Sequence, residues 1–166
     1  MAVKNILKAD GNSVKEKVEV EGLEGIPVKY LTFEIDSESY GIEIKDIVQI
    51  IEMQDITFVP EQAEYVKGVI NLRGQIIPVI EVRVRLKKQP IEYDDRTCII
   101  VVSHGDMMVG LIVDRVSEVL NIKENQIAET PKLQKEKNVE YIHGIAHLNN
   151  CIIMLLDIRK MLDMEV

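Results

Sequence analysis

The strongest constraint on the fold is a run of elements that the chain writes twice. Tyr40 to Met53 (YGIEIKDIVQIIEM) lies over Val109 to Ile122 (VGLIVDRVSEVLNI), which sets Gly41 on Gly110, Ile47 on Val116 and Ile50 on Val119. The same shift places VKYLTF over TCIIVV. After a longer loop the register resumes, with Gly68 to Leu86 (GVINLRGQIIPVIEVRVRL) over Gly144 to Leu162 (GIAHLNNCIIMLLDIRKML), so that glycine, both central isoleucines, the acid, and Arg83 with Arg159 coincide. Internal similarity of this kind means one supersecondary unit used twice.

The unit is made of strands. From Val28 onward, short runs of Ile, Val, Leu and Tyr are separated by Gly, Asp, Asn or Pro, the signature of a β-rich chain. The runs are VKYLTFEI, SYGIEI, DIVQII, GVINL and QIIPVIEV in the first copy, and TCIIVVS, MVGLIV, VSEVLNI, HGIAHL and CIIMLLDI in the second. Helical stretches are predicted only at EQAEYVKG and in a terminal helix starting near Asp157, a fair N-cap. With about five short strands each, the copies have too little mass for separate sandwiches, and curling into a small closed barrel removes exposed edges. Many strands are apolar on both faces, so one face fills its own barrel and the other packs on the second barrel. The prediction is two small barrels, about 28–90 and about 91–166, pressed together with a groove between them and the C-terminal helix near the interface. Residues 1–27 mix Lys, Glu, Gly and Asn without apolar periodicity and are expected to form a flexible tail.

Charge narrows the partners. A chain of 166 residues with net charge -8 and pI near 5.0 lacks the basic clusters on which nucleic-acid affinity rests. Anionic membrane surfaces are disfavoured for the same reason. No apolar run approaches the roughly 20 residues that span a bilayer, and MAVKNILKADGNSVKEK has no signal-peptide core, so the expected location is cytoplasmic. Cys98 and Cys151 sit in aliphatic runs and read as buried, inert thiols.

FVPEQAEYVKGVINLRGQIIPVIEVR, YGIEI, and VGLIVDRVSEVL followed by EYIHGIAHL resemble the CheW family of chemotaxis coupling proteins, over Val28 to Met164. The phrase G-V-x-N-L-R-G-x-I-x-P is specific to that family and to the related regulatory domain of the CheA kinase. The resemblance implies two five-stranded Src-homology-3-like barrels. It also implies a non-enzymatic adaptor, without cofactor, that bridges the cytoplasmic tips of chemoreceptors and the CheA regulatory domain and is recruited to membrane-bound receptor arrays without entering the membrane. The length leaves no room for kinase, phosphoacceptor or receiver domains, which implies the free adaptor.

Carried over position by position, the receptor groove would involve Ile44, Ile47, Gln49, Ile50, Lys67, Gly68, Cys98, Gly110, Val116 and Val119. Gly68 and Gly110 would admit a partner's backbone closely. Each position has a plainer reading, since Ile and Val in strands are usually core and a strand glycine can relieve a bend. The family usually has a Glu at Gln49 that pairs with the Arg matching Arg73; Gln can accept a hydrogen bond but brings no charge. Arg73-Gly74 aligns with Asn149-Asn150. Gly and Asn suit a turn with positive φ, whereas Arg has no turn preference, so Arg73 joins the receptor-facing candidates. Ile56, Phe58 and Val59, close together in DITFVPEQ, are candidates for the kinase-facing patch, with core as the rival reading.

No phosphate loop, nucleophile elbow or zinc signature occurs. His143 and His147 are four apart on a predicted strand, about 13 Å, too far to share a metal. Asp94 and Asp95 read as a turn in the linker. The rival class is a small-barrel protein that binds oligonucleotides or sugars. It would need stacking platforms, which a chain with no Trp and two Phe scarcely supplies.

Overall fold

The computed structural model describes residues 25–128 and 140–163. Most of the expected tail, residues 1–24, lies outside the described residues. The strands are β1 (Val28–Ile35), β2 (Glu38–Glu43), β3 (Ile47–Glu52), β4 (Val66–Leu72) and β5 (Gln75–Glu81), then β6 (Cys98–His104), β7 (Met107–Val113), β8 (Arg115–Ile122), β9 (Ile127–Ala128), β10 (Ile142–Leu148) and β11 (Cys151–Leu156). Short helices α1 (Val82–Arg85) and α2 (Ile158–Met161) follow β5 and β11. Asp157 caps α2 as expected, its carboxylate accepting from the Lys160 N–H at 3.3 Å. In EQAEYVKG, EQAEY forms turns and VKG opens β4, instead of a helix. Glu61 sits at φ 63°, and the segment bends so that Thr57 can exchange two backbone hydrogen bonds with Val69 of β4.

Strand pairing crosses between the copies. One sheet runs β8-β1-β2-β11-β10-β9 and the other β3-β6-β7-β5-β4. Each therefore combines the first two strands of one copy with the later strands of the other. The registers mirror one another: Phe33↔Val116 answers Val102↔Ile47, and the parallel pair Gly41↔Leu155 answers Gly110↔Val79. A cut near residue 90 thus separates the copies, not the barrels, which corrects the predicted division. The cause is visible in the links. Only Asp114 stands between β7 and β8, and a single residue cannot close a hairpin, so the chain passes on into the other sheet. Between β2 and β3 a 3₁₀ turn, Ile44–Asp46, makes the equivalent crossing.

Three apolar clusters fill this framework, and the repeat relates them. Ile70, Ile77, Val79, Ile99, Val101 and Ile112 fill one barrel, with Tyr30, Ile122, Ala146, Ile153 and Leu155 in the other. The third and largest lies between the barrels and draws on both sheets and on α2, with Phe33, Ile42, Val102, Leu111, Leu156 and Met161 among its members. Strands apolar on both faces are thereby explained, one face lining a barrel and the other the central seam. Complete burial of one such aliphatic side chain contributes about 1.5–3 kcal/mol.

Two polar features complete the frame. Arg83 is buried, and its Nε and Nη2 donate to the two carboxylate oxygens of Asp114 at 2.8 and 2.6 Å, while Nη1 donates to the Gln89 carbonyl at 3.0 Å. Both hairpin tips put two successive residues at positive φ: Arg73 (51°) and Gly74 (85°), Asn149 (46°) and Asn150 (64°), the geometry of a type I′ turn. Arg73 thus occupies a left-handed position that costs a side-chain-bearing residue about 1 kcal/mol.

Candidate docking surfaces

β3 and β8 are corresponding edge strands, one in each sheet, and they carry five of the candidates, Ile47, Gln49, Ile50, Val116 and Val119. Directly paired residues of neighbouring strands share a face. Ile50 pairs with the buried Ile100 and Val119 with the buried Leu31, both members of the central cluster. Ile50 and Val119 nevertheless stay 44 % and 52 % exposed, so they form apolar rims on the seam between the barrels. Beneath them, Ile44, Ile47, Cys98 and Val116 are half-buried against the central cluster. The Cys98 thiol lies beside the Val116 backbone, and burial pushes its pKa up despite that hydrogen bond. The plainer reading of these four as core side chains holds for the greater part of their surface.

The remaining candidates are placed elsewhere. Gln49 pairs with Val101, a residue of the barrel interior, and so faces away from the seam. Arg73 is exposed at the hairpin tip, and among the described residues neither Gln49 nor any carboxylate bonds to it. Lys67 is exposed beside the buried Glu81, 4.0 Å away, and over the ring of Tyr93 at 5.6 Å. Tyr93 donates its hydroxyl to Glu81 at 2.7 Å, and burial with that carboxylate raises its pKa.

The two glycines serve the chain itself. A Cβ on Gly68 would overlap the Thr57 carbonyl oxygen, and one on Gly110 would meet Ile99 Cγ2 at 2.8 Å. Their counterparts Gly144 and Gly41 are crowded too, by the side chains of Ile127 and Leu155, so close internal packing recurs in both copies. In DITFVPEQ the three candidates divide. Ile56 packs against the barrel interior and Val59 is half-buried, while Phe58 is 74 % exposed.

Cys151 corrects the buried-thiol expectation: it is exposed, because the apolar run NNCIIMLL starts at the hairpin tip before β11 enters the core. The carboxylate of Asp94 accepts backbone N–H bonds from Arg96 and Thr97, a structural turn. No group of three or more His, Cys, Asp or Glu among the described residues could hold a metal ion, and no described helix is long and apolar enough to cross a membrane. Sequence reasoning missed Val48, which is 47 % exposed where β3 shifts register against β6. Its signal was the IVQII run, apolar at both of two successive positions on either side of Gln49, in which an edge strand has no partner for one face.

The geometry has counterparts among known proteins. A family model described as CheW-like domain matches residues 29–166. The chemotaxis protein CheW of Klebsiella aerogenes is 35 % identical over 86 % of each chain. That of Thermotoga maritima is 38 % identical over 80 % of this chain and 86 % of its own. The crystal structure of the scaffolding protein TtCheW from Thermoanaerobacter tengcongensis superposes with a TM-score of 0.78 at 32 % identity, covering 84 % of this chain and 95 % of that one.

Proposed function

The chain belongs to the family of CheW-like domains, and from that premise we propose that it couples the cytoplasmic tips of chemoreceptors to the histidine kinase CheA. As a member of that family it is a non-enzymatic scaffolding component of chemotaxis. The finer reading concerns its partners and where they dock.

The observation that carries it is the pair of exposed aliphatic rims, Ile50 and Val119, beside a seam whose half-buried margin is Ile44, Ile47, Cys98 and Val116. A receptor hairpin is helical, and a helix laid along such a seam buries its side chains at i, i+3, i+4 and i+7. Arg73 and Gln49 lie off that seam and contribute at its edge through polar contacts, with Lys67 supplying a further charge. Phe58 is the proposed anchor for the kinase regulatory domain, with Ile56 and Val59 supporting the loop from beneath. The adaptor works in the cytoplasm, drawn to the membrane by the receptors.

The test is co-sedimentation of the full chain with membranes carrying chemoreceptors, together with a pull-down on the CheA regulatory domain. Binding only to receptors whose cytoplasmic hairpins are intact, and retention by the kinase domain, are expected. Equal sedimentation with hairpin-deleted receptors overturns the receptor assignment, and no retention overturns the kinase assignment.

A further inference from the structure

The repeat makes the barrels directly comparable, and one of them is incompletely filled at its outer end. In the β3-β6-β7-β5-β4 barrel, one row across the inner wall is formed by Ser103, Met108, Ile77 and Ile70, with Ser103↔Met108 and Ile70↔Ile77 paired. Met108 packs there against the interior cluster. The corresponding row of the other barrel is Glu34, Ser39, Ile153 and Ala146. Two of these residues are smaller than their counterparts. At the inner end Tyr30, which corresponds to Ile99, packs beside Ala146 and makes up the difference. At the outer end Glu34 stands where the other barrel has Ser103, but it is ion-paired with Arg115, and no apolar side chain replaces the methionine that Ser39 lacks. A cavity of about 410 Å³ opens at that end.

Its volume lies in the usual range of small-molecule sites, about 300–1,000 Å³, and its lining sets mostly polar side chains, Ser117, Asn121 and Asn149 among them, around a small apolar floor. Leu120, Leu148 and Ile153 form the floor. The rim carries the Glu34–Arg115 ion pair, closed at 2.6 Å, and one further carboxylate, Glu118, which disfavours an anionic ligand. Thr32 at the wall spends its hydroxyl on the backbone of Glu118, donating at 2.9 Å and accepting at 3.2 Å. The half-buried hydroxyl of Ser39 has no partner among the described residues. No aromatic ring lines the space, which removes the stacking platform that a sugar or a nucleobase needs.

We propose that the open end of this barrel binds an uncharged small molecule with a compact apolar body and a hydroxyl or amide head, the body on Leu120, Leu148 and Ile153 and the head at Ser39 and Glu34. The site is separate from the seam rims and from Phe58, so occupancy leaves those surfaces free.

Cys151 is an exposed residue of the same cavity lining and supplies a reporter. In a methanethiosulfonate reaction its thiolate attacks the sulfenyl sulfur, a disulfide forms and methanesulfinate leaves. The full chain is treated with methyl and with benzyl methanethiosulfonate, folded and in urea, and the rate at Cys151 is followed by mass spectrometry of its peptide. Expected is a benzyl-to-methyl rate ratio about tenfold higher in the folded protein than in urea, as transient burial of the ring accelerates capture. Ser39→Met, which installs the side chain of the other barrel, should return the ratio to its value in urea. In parallel, benzyl alcohol should shift the methyl resonances of Leu148 and Ile153 saturably in the wild type. Equal ratios in folded and unfolded wild type, or methyl shifts that do not saturate, overturn the proposal without reference to any variant. An unchanged ratio in a folded Ser39→Met protein overturns the placement of the apolar body.

Discussion

Removing the carboxylate of Asp114 should destabilise the fold far more than removing the guanidinium of Arg159, although Arg159 and Arg83 occupy equivalent positions in the repeat. Arg83 has a side chain only 8 % exposed and makes two hydrogen bonds to Asp114, at 2.8 and 2.6 Å. The second Asp114 oxygen also accepts the Asp36 N–H at 2.8 Å. Asp114→Ala therefore strands a buried cation and a backbone donor together. Breaking a buried pair from one side costs about 3–5 kcal/mol. Asp114 retains 22 % side-chain exposure, and Asp36 stands by at 3.5 Å, so the lower end applies, about 3 kcal/mol or about 10 °C in Tm. Arg159 is exposed, and the residue corresponding to Asp114 is Lys45, which repels a guanidinium instead of pairing with it. Arg159→Ala should stay within about 0.5 kcal/mol.

Urea denaturation at neutral pH measures both. A loss under about 1 kcal/mol in Asp114→Ala, or comparable losses in the two variants, refutes the reasoning. Acid supplies a second reading. Burial raises the Asp114 pKa, but hydrogen bonds from Arg83 and the Asp36 N–H, with the charges of Arg83 and Lys88, outweigh it and leave the group below its ordinary value. A depressed folded pKa stabilises fully above the unfolded value of about 3.9 and loses that contribution as the pH falls through the folded one. The gap between wild type and Asp114→Ala should thus be widest at neutral pH and close in strong acid.

Ile50→Asp and Val119→Asp should each weaken receptor co-sedimentation about tenfold or more with Tm within about 2 °C, because these side chains are exposed on the seam rim; unchanged binding removes them from the proposed surface. Ile47→Asp, half-buried against the central cluster, should lose stability as well, so it cannot isolate the contact. Phe58→Ser should reduce retention by the kinase domain at constant Tm. Gly68→Ala should cost about 2 kcal/mol or more in urea denaturation, since its Cβ meets a backbone carbonyl that cannot swing away, whereas Gly74→Ala, with open space around it, should cost only about 1 kcal/mol for its positive φ. Arg73→Asn should gain a few tenths of a kcal/mol by relieving the left-handed position while weakening receptor binding, and a loss of stability would mean that the arginine is held there by packing.

Strand positions were legible because a buried run announces itself whatever its partner. Partner choice was not, because Ile42 and Leu111 carry the same apolar signal whichever sheet they join. The exchange was written only in the spacing VGLIVDRVSEV, where one acidic residue separates two apolar runs too closely for a hairpin. Burial by degree was equally hidden. Cys98 and Cys151 occupy similar runs, yet one is half-buried against the central cluster and the other is exposed at a hairpin tip. Ile50 and Val119 align in the repeat, but their exposure follows from β3 and β8 being edge strands, which depends on the topology. The glycines were visible as a shared feature, and their cause lay in a loop carbonyl and an isoleucine methyl far away in sequence.

The exchanged topology constrains how an adaptor of this kind transmits a signal. Two barrels joined by a single linker could swing apart and report one partner's arrival by a hinge. Here the chain passes between the barrels twice, at Ile44–Asp46 and at Asp114, and the crossing at Asp114 is tied to α1 by the Arg83 pair. The central cluster adds a buried apolar interface contributed by both sheets. Separating the barrels would break this cluster and the Arg83 pair together, at a cost comparable to the 5–15 kcal/mol that holds a whole domain folded. A partner that spent its docking energy on that separation would keep little of it as affinity. On the proposed assignment, a receptor on the seam and a kinase at Phe58 would therefore meet a rigid spacer whose output is their fixed relative placement, and a variant that loosens Arg83–Asp114 should uncouple the partners before it prevents either from binding.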